Sequence, residues 1–424
     1  MSEIDPLLLQ ESSSTREEAA TVDAHVSNLE LFSDLTMVVA IHITSEPLEE
    51  GTDEHMYAQM GQYIFRVFLL WYLWHTNMVV TNVDNLFSKN RPSAETHLFL
   101  FTEMALIIGI AKCCRSGNTG IASVLYLIGR SLQIATYHWI THFQQPTMEH
   151  ISDERLENIR EIGKLMKPTF VVLELIPLVL AICLSGSKLD NPSGVNLIPA
   201  FTCIFITLLA RTLGALIYDR KPDHDQNNVF GMHHILERYE LITLIFFGEL
   251  CFAAASEPGA FIPSLCCFLT AIGCYLHYFT AKDVNIVPPF GRSALRSMTA
   301  HHLHFGIFCV VPIIGVGFLR VIEMVSEDDE GEVETDSDHH SHIDNDVAAN
   351  PSRMICFSVG IFVLCCGLIN SSKIMLGETA IFMFMSLFKM NATLSTLFGP
   401  VVMSGCAAYE IHRLKVFKKQ NAHE

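Results

Sequence analysis

The stretch AHHLHFGIFCVVPIIGVGFLRV, residues 300–321, decides the fold. Between His304 and Arg320 it holds no ionised side chain, and it is long enough to cross a hydrocarbon layer as one helix, which takes about 20 mostly apolar residues. It does not stand alone. Similar cores lie near 29–44, 57–80, 97–113, 119–143, 168–186, 195–217, 237–256, 260–281, 354–370, 379–388 and 395–412. In lipid each backbone N–H and C=O must be satisfied inside the span, so runs of this kind form helices. The reading is an all-α polytopic membrane protein with about 12 transmembrane helices, range about 10 to 12. The range reflects Glu30 and Asp34 in the first core and the shortness of 379–388.

Composition agrees. Half of the 424 residues are hydrophobic and 17% are charged, below the roughly 25% of soluble domains. The net charge of −18 collects in tails and loops, so it describes the wetted surface rather than the fold. The 13 Cys lie within or at the ends of apolar runs without CxxC spacing. They read as buried free thiols, not as disulfides or a zinc site.

Outward from the spans, residues 1–28 read as a polar cytosolic tail rather than a cleavable leader. Residues 29–217 carry membrane helices 1–6 and 237–412 carry helices 7–12. Within the second block, 323–350 is an acidic loop containing His, and 413–424 is a basic cytosolic tail. The tail to about Ser27 and the run 326–346 have little to bury and are expected to be disordered. With the N-terminus inside, cytoplasmic loops hold Lys89, Arg91, Arg155, Arg160, Lys164 and Lys167 among others. The opposite loops hold Lys112, Arg115, Lys188, Arg353 and Lys389, with Arg320 at a helix end. Cytoplasmic loops are enriched in Lys and Arg, so both termini are placed in the cytosol. Asn391, in the sequon Asn391-Ala392-Thr393, then faces the lumen or exterior as a glycosylation candidate. His339, His340 and His342 sit among carboxylates in the acidic loop: a weak metal or proton-sensing candidate, more simply a solvated acidic loop. Glu3 four residues before Leu7 and Leu8 looks like an acidic dileucine sorting signal. It favours an endosomal, lysosomal or vacuolar membrane over the plasma membrane, with a sorting adaptor as partner.

Ionisable groups inside apolar helices are costly and usually functional. Glu30 and Asp34 are spaced i, i+4 and share a face, with His42 read along the same stripe. Arg238 and Glu249, eleven residues apart, return to nearly one face of the seventh span. With Glu237 and His304 these are the transport-path candidates. Arg66, Glu103, Arg130, Glu174 and Arg211, taken singly, read as interhelical pairing that fixes packing. No GxSxG, HExxH or phosphate loop occurs. No enzyme activity, no cofactor and no nucleic-acid partner is expected. The partners expected are membrane lipid, a cation or small solute, and a further copy of the chain. The reading is a channel or transporter; the alternatives are a membrane scaffold or partner subunit, and an intramembrane enzyme using His301, His302 and His304.

Two acid-bearing stretches, LELFSDLTMVVAI at 29–41 and HILERYELITLIFFGE at 234–249, carry a resemblance. They resemble the bacterial low temperature requirement A (LtrA) family, whose members look like ELFFDLVFVVAI and HLxERFGLFTIIxLGE, with His234, Glu237, Arg238, Gly248 and Glu249 in register. WYLWHTNMVVTNVDN at 71–85 resembles the family's Trp-rich second helix with its polar exit and HHLHFGIFCVVPIIGVGFL at 301–319 a later helix with His then Gly, so the resemblance spans Leu29 to Glu323. It departs at Ser33, at Glu240 and in the acidic loop, and it implies a membrane fold more than a chemistry. Phe32, Ser33 and Asp34 also look like the first-helix motif of endolysosomal potassium channels, which are similar in being built from six-helix repeats. Glu30 and Glu237 each open a block of six candidate spans, so two parallel six-helix repeats are a natural arrangement.

Overall fold

The computed structural model describes residues 27–49, 56–87, 94–143, 153–176, 178–179, 197–219, 232–255, 261–280, 294–330, 349–370, 373–386 and 402–403. In chain order the helices are α1 (Asn28–Glu49), α2 (Met56–Phe87), α3 (Ala94–Arg115), α4 (Thr119–Phe143) and α5 (Asp153–Thr169). There follow α6 (Leu197–Asp219), α7 (Met232–Ala255), α8 (Phe261–Thr280), α9 (Ala294–Glu330), α10 (Ala349–Asn370) and α11 (Lys373–Met385). No strand occurs among the described residues. Glu3, Leu7, Leu8, His339, His340, His342 and Asn391 lie outside the described residues, as does most of the core expected at 395–412.

Local chemistry explains the ends. Ser27 caps α1: its backbone N–H and hydroxyl donate to Glu30 Oε2 at 2.9 and 2.8 Å, and the Glu30 N–H donates to Ser27 Oγ at 3.2 Å. This reciprocal capping box satisfies donors that a helix start leaves unpaired. Ser27, expected at the end of a disordered tail, is therefore part of the helix start. α3 ends in a Schellman turn. The Asn118 N–H reaches Cys113 O at 2.8 Å and the Gly117 N–H reaches Cys114 O at 3.1 Å. Gly117 has φ +77°, a left-handed conformation that glycine adopts without a Cβ clash.

Two expectations are corrected. Arg155, Arg160, Lys164 and Lys167 stand not on a loop but on α5, an amphipathic helix held to α4. There Tyr137 donates to Ile159 O at 2.8 Å and Arg160 Nε donates to Thr141 O at 3.2 Å. Beyond Pro168, whose missing N–H interrupts the α ladder, the chain widens into a π turn over Phe170–Leu175. The acidic run expected to be disordered from 326 begins as helix, because α9 continues to Glu330.

The distribution of side chains is that of a membrane protein. Asp34, Glu103, Arg130, Glu174 and Arg238 are buried, whereas Leu98, Phe101, Phe205, Phe252, Phe261 and Phe384 are exposed. A soluble fold does the reverse, since water solvates charge and expels apolar surface. By length and composition α3, α8, α9 and α10 each qualify as a span over Ala94–Arg115, Phe261–Phe279, Leu295–Ser326 and Pro351–Ile369. α1, α2 and α7 carry more ionisable groups, and of these Glu30, Asp34, Arg66, Asp84 and Arg238 are buried in the interior. α11 has 13 residues, about 20 Å of helix, against a hydrocarbon thickness of about 30 Å.

α2 and α9 form the centre. α2 packs on α1, α3, α4 and α6; α9 packs on α1, α6, α7 and α10. Packing partners recur at an offset of six helices. α1 contacts α2 and α3 as α7 contacts α8 and α9, α2 contacts α4 as α8 contacts α10, α3 contacts α4 as α9 contacts α10, and α4 contacts α5 as α10 contacts α11. α2 also meets α6, and Gly273 of α8 lies against Met403, two helices' length of chain beyond α10.

Candidate functional site

Where the two blocks meet, Asp34 of α1 faces Arg238 of α7, and both are 0% exposed. Arg238 Nη2 donates to Oδ1 at 2.5 Å and Nε donates to Oδ2 at 3.1 Å. Trp74 Nε1, from α2, donates to Oδ1 at 2.7 Å. Nη1 of Arg238 reaches Thr81 Oγ1 at 3.4 Å and stands 3.8 Å from Glu30 Oε1. A buried carboxylate is tolerated when paired and hydrogen-bonded, and here one guanidinium and one indole provide both. Trp74 and Thr81 lie two turns apart on α2, so one stripe of that helix closes the pair from the side. Neither partner stood out in the sequence. The signal was a donor-only indole and a hydroxyl spaced along one face of α2.

The predicted path residues separate into groups. Glu30, Asp34 and Arg238 come together. His42 does not continue the Glu30–Asp34 stripe. Eight residues past Asp34 the helix has turned about 80° off it, and His42 is half-exposed, 3.3 Å from Glu249. Glu249 is likewise half-exposed, so it pairs with His42 rather than joining Arg238. The two pairs advance together along both helices, which means that α1 and α7 run parallel. Glu237 is half-buried and forms no ion pair among the described residues. Of the Phe-Ser-Asp triplet, Phe32 faces outward while Ser33 and Asp34 face in.

His304 belongs to a separate aromatic cluster between α2, α7, α8 and α9. Its Nδ1 lies 2.7 Å from Ala300 O and must donate, since a carbonyl only accepts; Nε2 then accepts from the Tyr278 hydroxyl at 2.9 Å. Trp71 Nε1 donates to His301 Nε2 at 3.3 Å, which leaves His301 Nδ1 to donate to the Tyr239 oxygen at 2.6 Å. The indole N–H, which can only donate, thereby holds the His301 ring as its neutral Nδ1–H tautomer. No group of three or more His, Cys, Asp or Glu side chains among the described residues is arranged to hold a metal.

Four of the five charges read singly in the sequence belong to one network, whereas Arg66 donates to Gln62 Oε1 at 3.4 Å within α2. Glu174, on the π turn, accepts from Arg130 Nε and Nη2 at 2.7 and 2.8 Å, from Tyr126 at 2.7 Å and from Arg211 Nη2 at 3.4 Å. Arg130 Nη1 continues to Gln133 Oε1 at 2.7 Å. Gln133 Nε2 in turn donates to Glu103 at 2.9 Å and to Leu73 O at 2.6 Å. Tyr126, Arg130 and Gln133 share one face of α4, a pattern visible in the sequence; that Glu174 meets them depends on the π turn.

The comparison with known families bears on the whole chain. The description Bacterial low temperature requirement A protein (LtrA) matches residues 25–409, from the Ser27 cap through α11 and past Met403. The match therefore extends well beyond Glu323, into the last helices. No curated protein and no solved structure matches. With the stretches at 29–41 and 234–249 facing each other through Asp34 and Arg238, and the match running over nearly the full length, the chain belongs to the LtrA family of membrane proteins.

Proposed function

We propose that the protein is a channel or transporter for a cation or small solute, built from two parallel six-helix halves whose junction forms the path. The observation that carries this reading is the fully buried Asp34–Arg238 pair, which ties α1 of one half to α7 of the other. The recurrence of packing partners at an offset of six helices supports the duplication, an arrangement in which substrate sites lie between repeats. In the closed junction Arg238 occupies Asp34. A cation or proton arriving at Asp34 replaces Arg238 as its counter-charge, which loosens the tie between the halves and leaves Glu30, 3.8 Å from Arg238, as the remaining counter-charge of the guanidinium. Breaking a buried pair without such a replacement costs about 3–5 kcal/mol, so opening is coupled to occupancy.

The test is cation and proton flux in vesicles containing the purified protein, normalised to folded molecules. Asp34→Asn should abolish or alter flux. The double variant with Asp34→Asn and Arg238→Gln removes both charges, relieves the uncompensated guanidinium, and should fold without regaining flux. Flux unchanged per folded molecule in both variants would return the pair to a structural role. That is the second reading, a membrane scaffold, and the closed Arg130–Glu174–Gln133 network favours it for that part of the interior. Of the histidines an enzyme reading would use, His301 and His304 spend both ring nitrogens on tyrosine, tryptophan and backbone partners, which leaves only His302 with its nitrogens open. For the membrane concerned, Glu3, Leu7 and Leu8 support an endosomal, lysosomal or vacuolar address.

A further inference from the structure

A second polar centre lies between α2, α6 and α9, away from the Asp34 junction. Tyr72 and His75 stand one turn apart on α2, Arg211 comes from α6 and His302 from α9. The Arg211 guanidinium lies over the Tyr72 ring, 4.2 Å from its centroid. It gives one nitrogen to Glu174 at 3.4 Å and leaves Nε without a hydrogen-bond partner. Tyr72 is wholly buried, yet its hydroxyl has no partner. His75 packs on His301 with ring centroids 3.7 Å apart, and its Nδ1 is unpartnered. His302 lies against the Leu208 backbone with neither ring nitrogen in hydrogen-bonding geometry. Arg211 is close enough to act electrostatically on both histidines. Buried polar atoms are almost always partnered, so four unsatisfied side chains in one place call for an explanation.

Charge indicates what they suit. Around Glu174 two guanidiniums face one carboxylate, and Glu103 stands behind Gln133 without an ion pair to either Arg among the described residues. Arg211 is 15% exposed against 4% for Arg130, so it is the reachable one. A guanidinium N–H, a phenol and imidazole nitrogens are together a donor set for an oxyanion.

We propose that Arg211, Tyr72, His75 and His302 bind an oxyanion, the carboxylate or phosphate group of a soluble solute or of a lipid. The site stands independently of the transport reading. To test it, the full-length protein is placed in phosphatidylcholine nanodiscs and titrated with inorganic phosphate or succinate at constant ionic strength. Parallel nanodiscs contain phosphatidylglycerol and no added anion. Tryptophan emission reports the site, because Trp71 stacks on His301 with centroids 5.1 Å apart; the melting temperature is read alongside.

A saturable response to phosphate or succinate assigns the group to a soluble solute. A response to phosphatidylglycerol alone assigns it to a lipid headgroup, and either supports the proposal. Arg211→Gln should weaken the response by at least about tenfold, the loss expected for a charge-assisted hydrogen bond. Arg211→Lys keeps the charge but not the directed donors and should fall between, which keeps the test open if the Gln variant folds poorly. Tyr72→Phe discriminates most sharply. Removing an unpartnered buried hydroxyl should raise the ligand-free melting temperature while lowering anion affinity several-fold, and a merely structural cluster gives the first change without the second. No saturable response in any arm, or one that the Arg211 and Tyr72 variants leave intact, overturns the proposal.

Discussion

At Asp34 the carboxylate is held by a charged donor, Arg238, and a neutral one, Trp74, while Glu30 one turn earlier is committed to the Ser27 cap. The two acids, equivalent by spacing, are therefore unequal in consequence. Asp34→Asn leaves a buried guanidinium without its counter-charge, at a cost of about 3–5 kcal/mol. Trp74→Phe removes one hydrogen bond to a charged group and should cost about 1.5–3 kcal/mol. Glu30→Gln keeps the capping box, which accepts either residue, and should cost less than either. Thermal unfolding of the three purified variants would check the order. An equal loss for Glu30→Gln and Asp34→Asn would mean that Glu30, at 3.8 Å from Arg238, contributes as a counter-ion after all.

Among the elements, α9 and α10 pack most closely, and small residues let them. A Cβ at Gly317 would stand 2.7 Å from Ile355 Cγ1 and 3.1 Å from Met354 Cε. Close backbone approach of this kind takes the place of hydrophobic driving force between helices already surrounded by lipid. Gly317→Leu should overpack the contact and cost about 1–3 kcal/mol or more. Gly214→Ala on α6, where a Cβ meets nothing within 4 Å, should be neutral or gain up to about 1 kcal/mol of helix propensity. Melting of the two variants in one detergent separates packing from propensity. The π turn at Phe170–Leu175 shows the opposite device: a local widening that turns Glu174 toward Arg130 and Arg211.

Taken whole, the molecule presents apolar side chains outward and buries ionisable groups both where the two blocks meet, at Asp34 and Arg238, and inside the first block, around Glu174. Such a body needs an address to reach one membrane rather than another, and the tail residues Glu3, Leu7 and Leu8 are the available candidates. Leu7 and Leu8 lie outside the described residues, so the test of replacing both by Ala reads location and yield. A tagged variant should move from endolysosomal membranes to the cell surface with unchanged yield, as read by microscopy and surface labelling. An unchanged distribution would remove the sorting signal from consideration.

Hydrophobic runs determined the apolar helices from the sequence alone, though not the amphipathic α5. The cores at 119–143 and 260–281 match α4 and α8 closely, since apolar length is a property of the chain and the bilayer demands it. The acids at Glu30 and Asp34 and the base at Arg238 were legible for the same reason, as ionisable groups out of place in lipid. What the sequence did not contain was their pairing. Helical periodicity places a side chain on a face but not opposite a partner, so Trp74 beside Asp34, and the separation of His42–Glu249 from Asp34–Arg238, emerge only once α1, α2 and α7 are packed. The Arg130–Glu174–Arg211 network was hidden twice over, because its members come from different helices and because a π turn shifts Glu174 out of regular α register. Composition and period decide which segments enter the membrane, and tertiary contact decides which buried charges meet there.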